Sequence, residues 1–235
     1  MTGLAILTAL SSLQYVTTNV AVFDPIFRDK YAAHLPIIIT HGVCAITALV
    51  LGPFQFIPRL RARVPKLHRA VGCVYLLAVL GGGLTGFHMG AMAFGGLPAQ
   101  VAFCMMAGLW LATGGEALRS ALSMRINDHR GWMIRNYALT FGAVTLRLYL
   151  TGFQMIGVDY ETIYPAVAWL AWVPNLVAAE ILIGTLRFNK RNAKKLFPSS
   201  SYASSGDIMR TEKGIVAPWL FEKNVLPNDP PETKK

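Results

Sequence analysis

Long apolar stretches alternate with short polar segments along the chain, in the pattern that is typical of membrane proteins with several crossings. Each stretch approaches the roughly 20 residues that a helix needs to cross a bilayer. Six such stretches fall at residues 4–23, 36–57, 67–90, 98–118, 131–154 and 164–186. The pattern therefore predicts an all-α polytopic membrane protein, with one six-helix transmembrane bundle over residues 1–187 and a polar C-terminal tail over residues 188–235.

The first and last of these stretches are less regular than the other four. Ser11, Gln14 and Asn19 dilute the first stretch, whereas Pro174 interrupts the last. The first stretch has no basic segment before it and no clear cleavage site, so we predict a retained helix and not a signal peptide.

Basic residues between the stretches predict the orientation of the bundle. They cluster after the second, fourth and sixth stretches: Arg59, Arg61, Arg63, Lys66 and Arg69, then Arg119, Arg125 and Arg130, then Arg187, Lys190, Arg191, Lys194 and Lys195. With six crossings, all three clusters lie on the same side of the membrane, and the positive-inside rule makes that side the interior. Both termini are then predicted to be inside.

Composition supports a membrane protein and argues against nucleic-acid binding. Hydrophobic residues make up 54% and charged residues 14% of the 235, whereas soluble domains carry about 25% charged residues. The formal net charge is +10, but most basic residues flank apolar stretches, where they act as topology signals. The three cysteines are isolated in apolar runs, so neither a disulfide framework nor a zinc site is predicted. We expect a multi-pass integral protein whose main partner is the lipid bilayer.

The fifth stretch carries five polar residues on one predicted helix face. Asn136, Thr140, Arg147, Thr151 and Gln154 follow one another at offsets of four, seven, four and three, which match the helical period. An unpaired polar group that faces lipid costs several kcal/mol. This polar stripe is therefore predicted to face other helices, a cofactor or a watery cavity.

Arg147 requires a partner, because a charge near the membrane core is costly unless it is paired or hydrated. Glu116 and Glu180 are the acids within the stretches, but both lie toward the inside, which disfavours direct pairing with Arg147. Asp159 and Glu161 lie just outside and are more reachable for an extended arginine. A structural clamp between the fifth and sixth helices is an alternative to a functional role.

A composite motif over residues 41–150 resembles a known family. Its parts are His41, Gly52-Pro53-Phe54-Gln55-Phe56, Leu67-His68-Arg69 with Gly72 and Tyr75, His129-Arg130-x-Trp132-Met133-x-Arg135-x-Tyr137-Ala138-Leu139-Thr140, and Thr145-Leu146-Arg147-Leu148-Tyr149. The motif is similar to that of a family of predicted multi-spanning membrane proteins, described only as a domain of unknown function. The resemblance implies a polytopic membrane protein and no particular activity.

Histidines near the predicted membrane surfaces suggest binding of haem b. His41 begins the second stretch and His88 ends the third, both on the outside, and neutral imidazoles from neighbouring helices are suitable axial ligands for iron. Arg147 would then contact a haem propionate. The third stretch has a glycine at every fourth position, which permits close helix packing or leaves room for a flat cofactor: Gly82, Gly86 and Gly90. The alternative is that the histidines only anchor helix ends at lipid headgroups.

The inside ends of the third and fifth stretches both begin with His-Arg. His68 and Arg69 open the third stretch, and His129 and Arg130 open the fifth, with Arg135 about one turn deeper. Free backbone N–H groups and the helix dipole favour an anion at such ends. We expect these five residues to contact lipid headgroups or, less simply, a phosphate-bearing metabolite.

Three functions follow from these features, and none defines a reaction. The first is a haem b electron-transfer component or a subunit of a larger membrane redox complex. The second is a non-enzymatic accessory or assembly subunit, with an apolar cluster in the tail that would bind other subunits: Val216, Pro218, Trp219, Leu220 and Phe221. The third is a small-solute or lipid transporter lined by the polar stripe.

Overall fold

A computed structural model describes residues 2–23 and 25–196, and all regular secondary structure within them is helical. The predicted apolar cluster of the tail lies outside the described residues. Residues up to Asn189 belong to one compact unit, and a second unit begins at Lys190. The α-helices are α1 (Thr2–Ser12), α2 (Pro25–Ala33), α3 (Leu35–Gln55), α4 (Pro58–Arg63), α5 (Pro65–Ala91), α6 (Gly96–Leu122), α7 (Ile126–Thr140), α8 (Gly142–Met155), α9 (Tyr160–Leu170) and α10 (Val173–Leu196).

Four segments of the described chain are long and apolar enough to cross a membrane. They are α3, α5, α6 and the stretch 160–189, which includes α9 and most of α10. The bounds of α3, α5 and α6 confirm the second, third and fourth predicted stretches. A count of six crossings and the location of the termini are not confirmed by helix length and composition.

The first predicted stretch is not one continuous helix. α1 ends at Ser12, and the hydroxyls of Ser11 and Ser12 both donate to the carbonyl of Thr8. Farther along, the Asn19 side chain accepts from the backbone N–H of Ala21 at 3.0 Å and caps a short 3₁₀ turn. Short polar side chains compete with the helix for backbone partners, which explains why the helical pattern stops early.

The fifth and sixth predicted stretches are each divided into two helices. Phe141 separates α7 from α8, at a point where Gly142 packs closely against Met106. Ala171 and Trp172 separate α9 from α10, so the interruption falls just before Pro174. Proline is favoured in the first turn of a helix, where its missing N–H leaves no intrahelical hydrogen bond unmade.

The main core of the bundle lies between α3, α5, α6 and α7. Tyr75 and Leu139 are fully buried in it, and Trp110 and Tyr137 are nearly so. Gly90 of α5 lies against the backbone of Cys104, near the start of α6, whereas Gly114, farther along α6, lies against Val79. α5 and α6 therefore run antiparallel. We call the end of the bundle formed by the end of α6 and the start of α7 the basic end.

Candidate functional site

A network of buried side-chain hydrogen bonds joins α5, α6 and α7. The Tyr75 hydroxyl donates to Asn136 Oδ1 at 2.6 Å and lies 3.1 Å from Thr140 Oγ1. Asn136 Nδ2 donates to the Trp110 carbonyl and to Thr113 Oγ1, both at 2.8 Å. The indole N–H of Trp110 donates to Thr140 Oγ1 at 2.9 Å. Each of the four side chains Tyr75, Trp110, Asn136 and Thr140 therefore has a hydrogen-bond partner, as a low-dielectric interior favours.

The polar stripe is divided between different environments. Asn136 and Thr140 are buried in this network, whereas Thr151 and Gln154 are exposed on α8. The break at Phe141 lies between the two pairs. The buried half of the stripe thus connects helices, and the exposed half faces the surroundings of the bundle.

Arg147 lies in the middle of α8, partly buried. Its guanidinium donates to the Ala143 carbonyl at 2.9 Å and to Ser12 Oγ of α1 at 2.8 Å. Among the described residues it forms no ion pair with an acid. Asp159, which was expected to be within reach, instead caps α9 by accepting from the N–H groups of Glu161 and Thr162. Two neutral oxygens therefore hold the arginine in place of a carboxylate.

His41 is fixed against α5 by its ring. Its Nδ1 lies 2.9 Å from the Gly82 carbonyl, and since a carbonyl only accepts, Nδ1 carries the proton. The lone pair of the neutral ring is then on Nε2. Arg147 lies within electrostatic reach of His41. His41 and Arg147, the predicted haem ligand and the predicted propionate partner, therefore lie in the same region of the bundle.

The glycine face of α5 is filled by side chains of its neighbours. A Cβ added at Gly82 would lie 2.9 Å from the Trp110 ring, and one at Gly86 would lie 3.0 Å from His41 Cε1. One at Gly90 would lie 2.9 Å from the backbone nitrogen of Cys104. These glycines permit close helix packing, the first of the two interpretations given above.

His88 contacts His34, a residue that the sequence analysis left without a role. His88 Nε2 lies 3.4 Å from His34 Nδ1, and the ring centroids are 5.2 Å apart. His34 precedes α3, and His88 lies in the last turn of α5. His34 lies two residues before Pro36, at the same predicted depth as His88. This position is the signal from which the contact could have been predicted.

The two His-Arg pairs differ in how they are held. His129 Nδ1 donates to the Ala117 carbonyl at 2.8 Å, and His129 lies within electrostatic reach of His68. Arg69 and Arg130 are exposed. The start of α5 is therefore near the start of α7, and both arginines are exposed to lipid headgroups or solvent.

Arg135 forms a two-point ion pair with Glu180 that joins α7 to α10. Its Nη2 donates to Glu180 Oε2 at 2.8 Å, and its Nε donates to Oε1. The guanidinium also stacks over the Trp132 ring, 4.6 Å from the centroid. The sequence predicts both Arg135 and Glu180 in the inside part of the bundle. Their similar depth is the signal from which this ion pair could have been predicted.

Two pockets meet at Trp132 and Arg135. The first, of about 320 Å³, is highly charged and is lined by Glu116, Arg119, Arg125, Asp128, Trp132, Arg135 and Arg187. The second, of about 460 Å³, is largely apolar and is lined by Leu109, Thr113, Trp132, Arg135, Trp172, Val173, Leu176, Val177, Glu180 and Ile181. We call them the charged pocket and the apolar groove.

Comparison with known proteins gives one match. A family model described as predicted membrane protein (DUF2306) matches residues 38–183. This segment extends from α3 into α10, and it includes the buried network and the walls of both pockets except Arg187. No curated protein and no solved structure matches the chain.

Proposed function

The chain belongs to this family of predicted membrane proteins, and from that premise we propose that it binds an anionic lipid between α6, α7 and α10. One observation carries the proposal: the charged pocket and the apolar groove share the walls formed by Trp132 and Arg135. A site that is charged at one end and apolar at the other matches an amphiphile.

The charged pocket favours a negatively charged headgroup. Its wall contains four arginines and two acids, so two positive charges are in excess. Arg119 pairs with Glu116 and Arg125 with Asp128, and the members of each pair are three residues apart along the chain. Glu180, on the wall of the groove, offsets the charge of Arg135. A single phosphodiester would neutralise what remains, and arginine guanidinium groups suit phosphate oxygens.

The apolar groove suits an acyl chain. Val177 and Ile181 are more than half exposed on α10, next to the partly buried Leu176. Because these residues lie in a segment that can cross the membrane, an acyl chain would be held in the groove by van der Waals packing. Trp132 lies at the junction of the two pockets, where an amphipathic ring is suited to the boundary between headgroup and chain.

Native mass spectrometry of the full chain from nanodiscs tests this function. The nanodiscs contain equal amounts of phosphatidylglycerol and phosphatidylcholine, which differ in headgroup charge. We expect retention of phosphatidylglycerol, and about a fivefold reduction in Arg187→Gln, since one basic residue contributes about 1 kcal/mol near an anionic headgroup. Arg63→Gln is the matched control, because Arg63 is exposed and lines neither pocket.

Two further experiments test the apolar groove and the charged pocket separately. Val177→Trp is expected to fill the groove and to remove bound lipid, whereas Leu118→Trp, at an exposed position that lines neither pocket, is not. Inorganic phosphate in excess distinguishes a free anion from a lipid, because it competes only for the charged pocket. Equal retention of the two lipids by the unchanged chain would overturn the proposal.

The same proposal includes six crossings with both termini at the basic end. A Cβ added at Gly42, early in α3, would lie 3.2 Å from Val16, whereas Ala5 and Ala9 pack in a cluster with Leu49, farther along α3. The N-terminal segment therefore runs antiparallel to α3 and packs along its middle part. α7 with α8, and α9 with α10, would each form one crossing from two helices.

Haem b binding is the second candidate, and His41 is the observation that favours it. Its Nδ1–H bonds a backbone carbonyl, the arrangement that orients a metal-binding imidazole and leaves Nε2 available. Arg147 nearby would meet a propionate. An absorbance spectrum of the purified chain is the test, and a spectrum without a Soret band removes this candidate. An accessory role for the tail stays a prediction.

A further inference from the structure

Two imidazole nitrogens face each other at the end of the bundle opposite the basic end. His88 Nε2 lies 3.4 Å from His34 Nδ1, and the two ring planes are inclined at 61°. His34 comes from the segment before α3 and His88 from the last turn of α5, 54 residues later. The pair is exposed, so an ion in solution can reach it.

The separation of the two nitrogens is informative. It is longer than a typical nitrogen-to-acceptor hydrogen bond, which measures about 2.7–3.2 Å. Two imidazole nitrogens that bind one tetrahedral zinc ion, each at about 2.0–2.1 Å, lie roughly 3.3–3.4 Å from each other. The observed distance is that of a long hydrogen bond, and it also equals the separation of two imidazole nitrogens on a shared metal ion.

We propose that His34 and His88 chelate a divalent transition-metal ion, of the class represented by Zn²⁺ and Cu²⁺. Imidazole is a preferred ligand for both ions, with Cu²⁺ bound more tightly. No group of three or more His, Cys, Asp or Glu residues is placed to hold a metal within the described chain. Water molecules would therefore complete the coordination, and the site stays accessible and exchangeable.

Such an ion would link the start of α3 to the end of α5. Both helices belong to the main core of the bundle. The segment that connects α3 to α5 along the chain lies at the basic end, so the ion would join the two helices at the opposite end. Binding to the folded state alone raises the apparent melting temperature, and the rise grows with the logarithm of free metal once the metal exceeds its dissociation constant. This consequence is independent of lipid binding, which is placed at the basic end.

The experiment is a Zn²⁺ titration by calorimetry, on the full chain in detergent without a polyhistidine tag. We expect one strong site in the unchanged chain and more than a tenfold loss of affinity in both His34→Ala and His88→Ala. Phe87→Ala is the matched control, because it truncates an exposed neighbour and keeps both imidazoles. Unchanged affinity in either histidine variant would overturn the proposal.

Spectroscopy of bound Cu²⁺ gives a second readout that a folding defect cannot imitate. Electron paramagnetic resonance of the unchanged chain should show two equivalent nitrogen donors at one equivalent of Cu²⁺. Each single variant should show one nitrogen donor or none, and Phe87→Ala should keep two. A two-nitrogen signal that persists in His34→Ala would place the ion elsewhere and contradict the proposal.

Discussion

Asn136 joins three helices through one side-chain amide. Its oxygen accepts from Tyr75 of α5, and its nitrogen donates to Trp110 and Thr113 of α6. The side chain is completely buried. A buried amide must use both its acceptor and its donors. Removal of the Asn136 amide would therefore leave its partners without hydrogen bonds as well.

Replacing Asn136 with Ala should therefore lower stability strongly. The change leaves buried polar partners without hydrogen bonds and opens a small cavity, so we expect a loss of about 2–4 kcal/mol in the free energy of unfolding. SDS titration in mixed micelles measures it. Gln154→Ala, at an exposed position of the same stripe, should change the value by less than about 0.5 kcal/mol. Equal losses in both variants would contradict the assigned network.

The contact between Arg147 and Ser12 offers a second comparison at the residue scale. Ser11 and Ser12 both donate to the Thr8 carbonyl, but Ser12 also accepts from the Arg147 guanidinium at 2.8 Å. A hydrogen bond to a charged group contributes about 1.5–3 kcal/mol. Ser12→Ala should cost about that much in the unfolding titration, whereas Ser11→Ala should be nearly neutral. A neutral Ser12→Ala would mean that the guanidinium has another partner.

At the scale of elements, the glycines of α5 and α6 differ according to what they face. Gly90 packs against the backbone of Cys104, which cannot rotate away. Gly108 of α6 has no atom within 4 Å of an added Cβ. Alanine is more favourable than glycine in a helix interior by about 1 kcal/mol, so the sign of the effect depends on the space available.

Gly90→Ala should thus destabilise the protein, whereas Gly108→Ala should stabilise it by up to about 1 kcal/mol. The first forces α5 and α6 apart, and overpacking of this kind typically costs about 1–3 kcal/mol. Thermal unfolding in detergent, followed for both variants, measures the two shifts. Shifts of the same sign would show that packing between these helices is looser than the contacts indicate.

Helix positions were predictable where the apolar signal is long and uninterrupted. The observed bounds of α3, α5 and α6 differ from the predicted stretches by only a few residues at each end, because a buried or lipid-facing helix has a strong hydropathy pattern. Pro174 indicated the break at Ala171–Trp172, whereas the break at Phe141 was not predicted. A break within an apolar stretch depends on packing with other helices, such as Met106 against Gly142, and hydropathy does not record it.

The sequence indicates which residues belong to the candidate sites, but it does not indicate which of them contact one another. Arg135, His88 and Asn136 were all singled out, the first as a headgroup contact, the second as a haem ligand and the third as part of the polar stripe. Their partners Glu180 and His34 are 45 and 54 residues away along the chain, so no local spacing identifies them. Helical periodicity places polar groups on a face, whereas which helix meets that face is decided by tertiary packing.

At the scale of the whole molecule, the two ends of the bundle have different chemistry. The basic end contains the charged pocket beside the starts of α5 and α7, and the opposite end contains the His34–His88 pair. The buried network between them is fully hydrogen-bonded and connects α5, α6 and α7. A hydrogen-bonded network in the middle, with accessible sites at the two ends, favours ligand binding at the membrane surfaces over transport of a solute through the centre of the bundle.

The orientation of these ends can be tested with single cysteines in a background that lacks Cys44, Cys73 and Cys104. With six crossings, Thr2→Cys and Ser123→Cys should react with a membrane-impermeant maleimide from the same side of sealed vesicles, and Met155→Cys from the other. All three positions are exposed, so each should react fully once detergent opens the vesicles. If Thr2→Cys reacts together with Met155→Cys, the N-terminal segment does not cross, because α1 alone spans only about 16 Å.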